Sequence, residues 1–206
     1  MILLTGCQSL QTRLDPSPSL LLEKEKIQTF QSQLQILLKT PGSRIPLQGW
    51  LYLKKPASFR IELFDRFGTL VWLLRTNGEE YFYYSSQDNT TERGRWSEIE
   101  ERSGAPVPIF PQELTRILLT EPLPEGSGYF FKQHRKKPEV VVEKRDASRK
   151  RIWVVHFLNF AEVEGTILAD QMELDFPSEK LSLQISYRNF SPNPLLNADL
   201  FEEKDG

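Results

Sequence analysis

From residue 181 to 188 the chain alternates strictly, with Leu181, Leu183, Ile185 and Tyr187 set against Ser182, Gln184, Ser186 and Arg188. A period of two sends successive side chains to opposite faces of an extended strand, so this segment predicts a sheet with one apolar face and one wet face. Less regular versions of the pattern, rich in Ile, Leu, Val, Phe, Tyr and Trp, fill 45–53, 58–64, 69–76, 80–85, 129–132, 139–145, 151–158 and 165–176, and the alternating run itself spans 180–189. β-Branched and aromatic residues suit a pleated, half-buried surface. Lys55-Pro56, Asp65-Arg66-Phe67-Gly68 and Asn77-Gly78 punctuate the first four runs, and Asn-Gly is the strongest short hairpin signal. Connections this short join antiparallel neighbours.

Two segments depart from that period. Between Leu22 and Lys39, Ile27, Phe30, Leu34, Leu37 and Leu38 recur at helical spacing before Pro41-Gly42, which predicts an amphipathic N-terminal helix. Over 109–119, Pro111 suits an early helical position, Glu113 a first turn, and Leu114, Ile117 and Leu118 form one apolar edge before Pro122 and Pro124. The expected fold is therefore mainly β within the α+β class: about nine antiparallel strands in a strongly curved sheet, with an N-terminal helix and an inserted lid helix on its concave side. Residues 87–95 read as a polar connection, and the segment from Ser191 as a loop or cover. Pro106, Pro108 and Pro111 are candidate stiff hinges for the lid.

One face of the sheet would carry Phe59, Ile61, Leu63, Leu70, Trp72, Leu74, Tyr81 and Tyr83, joined by Trp50, Tyr52, Leu183 and Ile185. With Leu114, Ile117 and Leu118 above, this apolar space is either a packed core or a binding cavity, and the pattern fits both. Phe67, in a tight turn between Arg66 and Gly68, either stands in solvent or folds back over the sheet edge.

Composition narrows the function. The 206 residues suffice for one domain, and a net charge of -2 with a pI near 5.8 supplies no global basic field for nucleic acid. Mean hydropathy is -0.43, and no stretch approaches the roughly 18 apolar residues of a membrane-crossing helix. The two histidines, His134 and His156, lie in separate segments without metal-ligand spacing, and neither a nucleophile elbow nor a phosphate-binding glycine loop occurs. Glu162, Glu164, Asp170, Glu173 and Asp175 suit the wet face of strands, so neither catalysis nor a cofactor or metal is expected. Basic residues at 132–137 and 144–151 interleave with Glu139, Glu143 and Asp146; they fit a solvated hairpin, or contact with anionic headgroups.

Cys7, the only cysteine, rules out a disulfide within the chain. It ends Leu4-Thr5-Gly6-Cys7, the pattern at the cleavage site of a bacterial lipoprotein signal peptide, although residues 1–6 hold neither a basic start nor a full apolar core. Either Cys7 is an acylation point behind a truncated signal, or it is incidental. Acylation by two or more chains would anchor the protein stably, since each buried methylene contributes about 0.8 kcal/mol. The domain plan is a residual signal at 1–6, an acylated start and flexible tether at 7–21, and a single domain at 22–206.

Several of these residues resemble a known family. Phe59-Arg60-Ile61-Glu62-Leu63-Phe64-Asp65-Arg66-Phe67-Gly68-Thr69, then Gly104-Ala105-Pro106-Val107-Pro108 and the 114–119 helix, resemble the outer-membrane lipoprotein receptor LolB. Lys55-Pro56 ahead of Phe59-Arg60 resembles the related periplasmic carrier LolA. The resemblance implies an unclosed β-barrel whose lidded apolar cavity takes the acyl chains of other lipoproteins from a soluble LolA-like carrier. It implies a monomer, held by its lipid anchor at the periplasmic face of the outer membrane. In LolB-like proteins an apolar residue at a turn tip assists membrane delivery, and the matching position is Phe67. Asp65-Arg66 stands where Asn-Pro is usual, and Phe67 replaces leucine. Gln8 and Ser9 after the cysteine fit outer-membrane sorting. Two other readings are a carrier of free lipid or glycolipid with the same fold, and a structural or interaction lipoprotein of the outer membrane.

Overall fold

The structure is a computed structural model and describes residues 26–87, 89–101, 109–123, 128–133, 139–163 and 165–202. Cys7, the tether, Gly104 to Pro108 and His134 lie outside these residues. In chain order the strands are β1 (Thr29–Thr40), β2 (Ser43–Lys54), β3 (Ser58–Phe64), β4 (Leu70–Thr76), β5 (Glu80–Ser85) and β6 (Thr90–Arg95). After helix α1 (Pro111–Leu118) come β7 (Tyr129–Gln133), β8 (Glu139–Arg145), β9 (Arg151–Val163), β10 (Thr166–Phe176) and β11 (Leu181–Pro192).

All eleven strands join one unclosed antiparallel sheet, ordered β6-β5-β4-β3-β2-β1-β11-β10-β9-β8-β7. Two meanders are stitched together where β1 pairs with β11, so Leu34 lies opposite Tyr187 and Ile36 opposite Ile185. The chain leaves the sheet at one edge, β6, and returns at the other, β7, with α1 in the connection. Helix α1 packs on β3, while its Glu113 bonds Tyr129 of β7 and Lys144 of β8. Seven strand spacings separate β3 from β7, roughly 33 Å in a flat sheet. An eight-residue helix is about 12 Å long. The sheet must therefore curl around α1, which lies on its concave side.

The expected N-terminal helix over 22–39 is corrected: within the described residues the segment is β1. Phe30, Leu34 and Ile36 face the core with Ser32 between them, while Gln31, Gln33 and Gln35 face outward. Ser32 is fully buried and its hydroxyl donates to the Arg188 carbonyl at 2.8 Å. Pairing on both sides by β2 and β11 outweighs the local helical spacing. The polar stretch over 87–95 contains the edge strand β6, whose wet composition suits an edge. With β1 and β6 the strand count among the described residues is eleven, against about nine expected.

Beyond β11 the chain turns back over the convex face. Asn193 accepts from the Gln28 amide at 2.8 Å, Arg60 and Arg75 each donate to a carbonyl, of Leu200 and Glu202, and Phe201 is buried. This tail is the cover segment expected from Ser191 onward.

Candidate functional site

Register decides which expected residues share the concave face. Leu53, Phe59 and Thr76 align across β2, β3 and β4, as do Leu51, Ile61 and Leu74, and then Gly49, Leu63 and Trp72. Tyr81 and Tyr83 continue the rows on β5, and Leu183 and Ile185 share the face on β11, on the neighbouring rows of Leu38 with Ile45 and Ile36 with Leu47. Three expected residues fall elsewhere. Trp50 and Tyr52 lie on the convex face and stack on each other, 6.3 Å between centroids and 19° between planes. Gly49 and Leu51 hold the inner phase of β2, so an apolar residue on either side of Gly49 fits the pattern while only one phase fits the register. Leu70 lies opposite Phe64 because a bulge at Val71 intervenes. Val71 and Trp72 both pack against the core in its stead.

The lid residues Leu114, Ile117 and Leu118 are buried in the same core as Phe59, Ile61 and Leu74. Each contributes about 1.5–3 kcal/mol by burial, which an isolated eight-residue helix needs in order to exist. Just past the end of α1 stands Thr120, whose φ of 56° is left-handed and unfavourable for a β-branched residue. Thr120 and Glu121 amides donate back to the Ile117 and Arg116 carbonyls, and Thr120 Oγ1 accepts from the Ala169 amide at 3.0 Å. The Tyr187 hydroxyl donates to the Leu118 carbonyl at 2.9 Å, and Lys55 pairs with Glu121 at 2.5 Å. Burial holds the Tyr187 phenol far above the ordinary tyrosine range.

At the other end of α1, Glu113 Oε1 accepts from the Tyr129 hydroxyl and from Lys144 Nζ at 2.8 Å, and Lys144 Nζ sits 5.3 Å from the Phe110 ring centroid. Burial first, and the Glu113 carboxylate second, push the Tyr129 phenol well up. This polar junction on the concave side was missed by sequence reasoning: Glu113, Tyr129 and Lys144 are more than ten residues apart and share no motif.

Burial along the concave face is graded on four strands, while on β10 Met172, Leu174 and Phe176 stay buried to the strand end. On β1 it runs from Phe30 at 0% exposed through Leu34 and Ile36 to half-buried Leu38, and on β2 from Leu53 at 0% to half-buried Leu47 and Ile45. The sequence repeats on β4 from Leu74 to Trp72 and Val71, and on β11 from Tyr187 to Leu183 and Leu181. All four strands loosen toward the same end, where the turns 41–42, 65–69 and 177–180 lie. Trp72 and Tyr83 meet edge to face there, 5.7 Å apart.

Phe67 sits at that end and is 77% exposed, so of the two placements left open by the sequence it adopts the solvent-facing one. Asp65 builds the turn: Oδ1 accepts from the Phe67 and Thr69 amides at 2.8 and 2.9 Å, and Gly68 takes a φ of 81°. Arg66 lies 4.6 Å over the Phe67 ring.

Charged side chains gather on the convex face. His156 Nδ1 lies 2.8 Å from Glu139, with Asp175 3.9 Å from Nε2. Buried Glu143 meets Arg145 at 2.5 Å and Arg151 at 2.8 Å. Burial raises the Glu143 carboxyl, but the Arg145 hydrogen bond, Arg151 and Lys132 together hold it below 4.5. A groove of 610 Å³ beside Arg75, Phe82, Arg93 and Phe201 lies under the tail on this side.

No protein-family profile and no curated protein matches the sequence. Solved structures do. A LolA superfamily protein from Nitrosomonas europaea superposes with a TM-score of 0.56 at 10% identity, covering 89% of this chain and 93% of that one. An outer membrane lipoprotein-sorting protein domain from Vibrio parahaemolyticus gives 0.53 at 10%, over 84% and 88%, and a DUF1329 family protein from Desulfovibrio piger gives 0.53 at 12%, over 87% and 91%. The chain thus has the unclosed-barrel fold of LolA superfamily proteins.

Proposed function

We propose that this chain is a non-enzymatic outer-membrane lipoprotein that accepts acylated lipoproteins on its concave apolar face and delivers them to the membrane. The observation that carries the proposal is the burial gradient: four strands pass from fully covered to half-buried apolar side chains at the one end that also presents Phe67 to solvent. An acyl chain needs apolar walls and an opening, and no reactive group. The fold shared with a lipoprotein-sorting domain and a LolA superfamily protein supports the same reading. Acylation of Cys7 would hold the opening beside the bilayer that receives the cargo, and a soluble LolA-like protein would supply it. No nucleotide is required, since cargo moves to whichever site, and finally to whichever bilayer, binds its chains most favourably.

The test is purification of the full-length Cys7→Ala protein from a bacterium with two membranes, mass spectrometry of what accompanies it, and a transfer assay with acylated donor lipoprotein. Bound diacylated or triacylated polypeptide with transfer into vesicles is the expected result. Free phospholipid or glycolipid alone would make the chain a lipid carrier. Failure to bind either would leave the apolar face as core and refute the proposal.

A further inference from the structure

The two edges of the sheet are unlike. Trp96 N donates to Glu79 O, which sets the alternation of the β5–β6 ladder and turns the backbone groups of Thr91, Arg93 and Arg95 outward. That edge carries charged Glu92, Arg93 and Arg95, and the Glu98 carboxylate from the following 3-10 helix accepts from the Arg95 amide at 3.4 Å. It is blunted in the usual ways.

At β7 the corresponding bond is Arg145 N to Gly128 O, so residues 128, 130 and 132 face β8 while the N–H and C=O groups of Tyr129, Phe131 and Gln133 face away from it. No strand lies beyond them among the described residues. Two large apolar side chains flank this edge, Phe130 at 46% exposed on the convex side and Phe131 at 45% on the concave side. On the concave side Phe110, 38% exposed, lies against Lys144, which also reaches the Tyr129 ring. On the convex side Lys132, Arg145 and Arg151 stand around the single buried carboxylate of Glu143, three positive groups to one negative. Arg145 lies 4.9 Å over the Phe130 ring.

The geometry points to β7 as a docking edge for an extended segment of an acidic protein partner, added as a twelfth strand. Main-chain bonds from Tyr129, Phe131 and Gln133 supply the pairing. A strand alternates its side chains, so the partner's positions on the convex side, beside Lys132, take Asp or Glu, and its positions on the concave side, beside Phe131, take apolar residues. Excess positive charge at this edge selects an acidic strand over a second copy of the chain, which would bring like charges together. By register Phe131 lies on the row of Val142, Val155, Leu174, Leu183 and Leu38, so the docking edge shares the Phe67 end of the strands but stands at the far edge of the sheet, and its pairing does not depend on the acyl-chain reading.

The experiment uses the 206-residue chain and fluorescein-labelled octapeptides of alternating Val and Glu, of alternating Val and Lys, and of the Val-Glu sequence N-methylated at alternate amides. Fluorescence anisotropy should show saturable binding of the Val-Glu peptide, weakened by salt, and at least about tenfold weaker binding of the other two. Phe131→Pro removes an outward N–H without touching the β8 ladder and should abolish binding, and Lys132→Glu should weaken it about tenfold. Circular dichroism identifies a Phe131→Pro chain that fails to fold, in which case the N-methylated peptide and Lys132→Glu decide. Equal binding of Glu and Lys peptides, or indifference to N-methylation, overturns the proposal. So does a dimer in sedimentation that Phe131→Pro dissociates, which would assign the edge to a second copy.

Discussion

Replacing Phe67 with glutamate isolates membrane contact from folding, because the structure separates the two. The turn is held by the Asp65 carboxylate and by Gly68, and neither uses the Phe67 side chain. Arg66 lies over its ring, an exposed cation–π contact of about 0.5–1 kcal/mol. Thermal stability should therefore fall by no more than about 2–4 °C. Bilayer contact has much more to lose. Burying a whole phenylalanine side chain contributes at most about 3 kcal/mol, and with 77% of Phe67 in water roughly 2 kcal/mol is available to an interface. That corresponds to about 30-fold in partition. The assay is co-sedimentation of the full-length Cys7→Ala chain, with and without Phe67→Glu, on vesicles of phosphatidylethanolamine and phosphatidylglycerol, with Phe67→Leu as an apolar control. Phe67→Leu should retain most of the binding, and cargo acceptance should survive both changes. A Phe67→Glu protein that sediments within about twofold of its parent would refute the argument, and a melting point lower by more than about 8 °C would place Phe67 in the core.

Other changes test the frame of the site. Tyr187→Phe leaves the Leu118 carbonyl without its donor at the end of α1 and should cost about 1–2 kcal/mol in urea unfolding, with loss below about 0.3 kcal/mol counting against the lid contact. Gly49→Ala drives a Cβ into the Glu62 carbonyl oxygen and the Leu63 side chain and should cost about 3 kcal/mol; a neutral result would mean that β2 and β3 approach less closely than described. Glu143 has a folded pKa below 4.5, so its stabilisation is complete above about pH 4.5 and is lost as the pH falls through the lower folded value. The melting temperature of the parent should consequently drop more steeply below pH 4.5 than that of Glu143→Gln, and parallel curves would show that the Arg145 and Arg151 pairs do not survive in solution.

Strand identity was legible where the apolar face is unbroken and the other face wet, as in 181–188, and phase was lost in β2 and β4, where both faces carry apolar residues. In β2 Trp50 and Tyr52 were read as facing inward, whereas Leu51 and Leu53 hold that phase together with Gly49, which carries no side chain to read. In β4 a single bulge at Val71 moves Leu70 to the other face, a shift no period can reveal. In β1 the buried Ser32 breaks the inward apolar series while Leu37 adds an apolar residue outside it, so Ile27, Phe30, Leu34, Leu37 and Leu38 also fit a helix; the carbonyl that accepts from Ser32 belongs to a residue 156 positions away. Turn chemistry was more local, and the Asp65-to-Gly68 signal correctly implied a tight turn, though not which way Phe67 points.

The open end of the concave face follows from a mismatch in length. Each twelve-residue strand runs about 40 Å, whereas α1 is about 12 Å long and about 10 Å across, so one such helix covers only part of any strand it crosses. The short helix was visible in the sequence, whereas the strand lengths were not, since 22–39 read as a helix and 45–53 as the whole of the next strand. Nor was it visible where the helix comes to rest, because that is set by Thr120 on Ala169, Tyr187 on Leu118 and Lys55 on Glu121, contacts that span from 49 to 69 residues. They pin the end of α1 over the deeply buried rows of Phe59 and Leu53, and the uncovered apolar rows are thereby left at the end with Phe67. The same residues that look alike as a hydrophobic pattern are thus divided by position alone, those beneath the helix holding the fold together and those beyond it remaining exposed enough to meet an acyl chain.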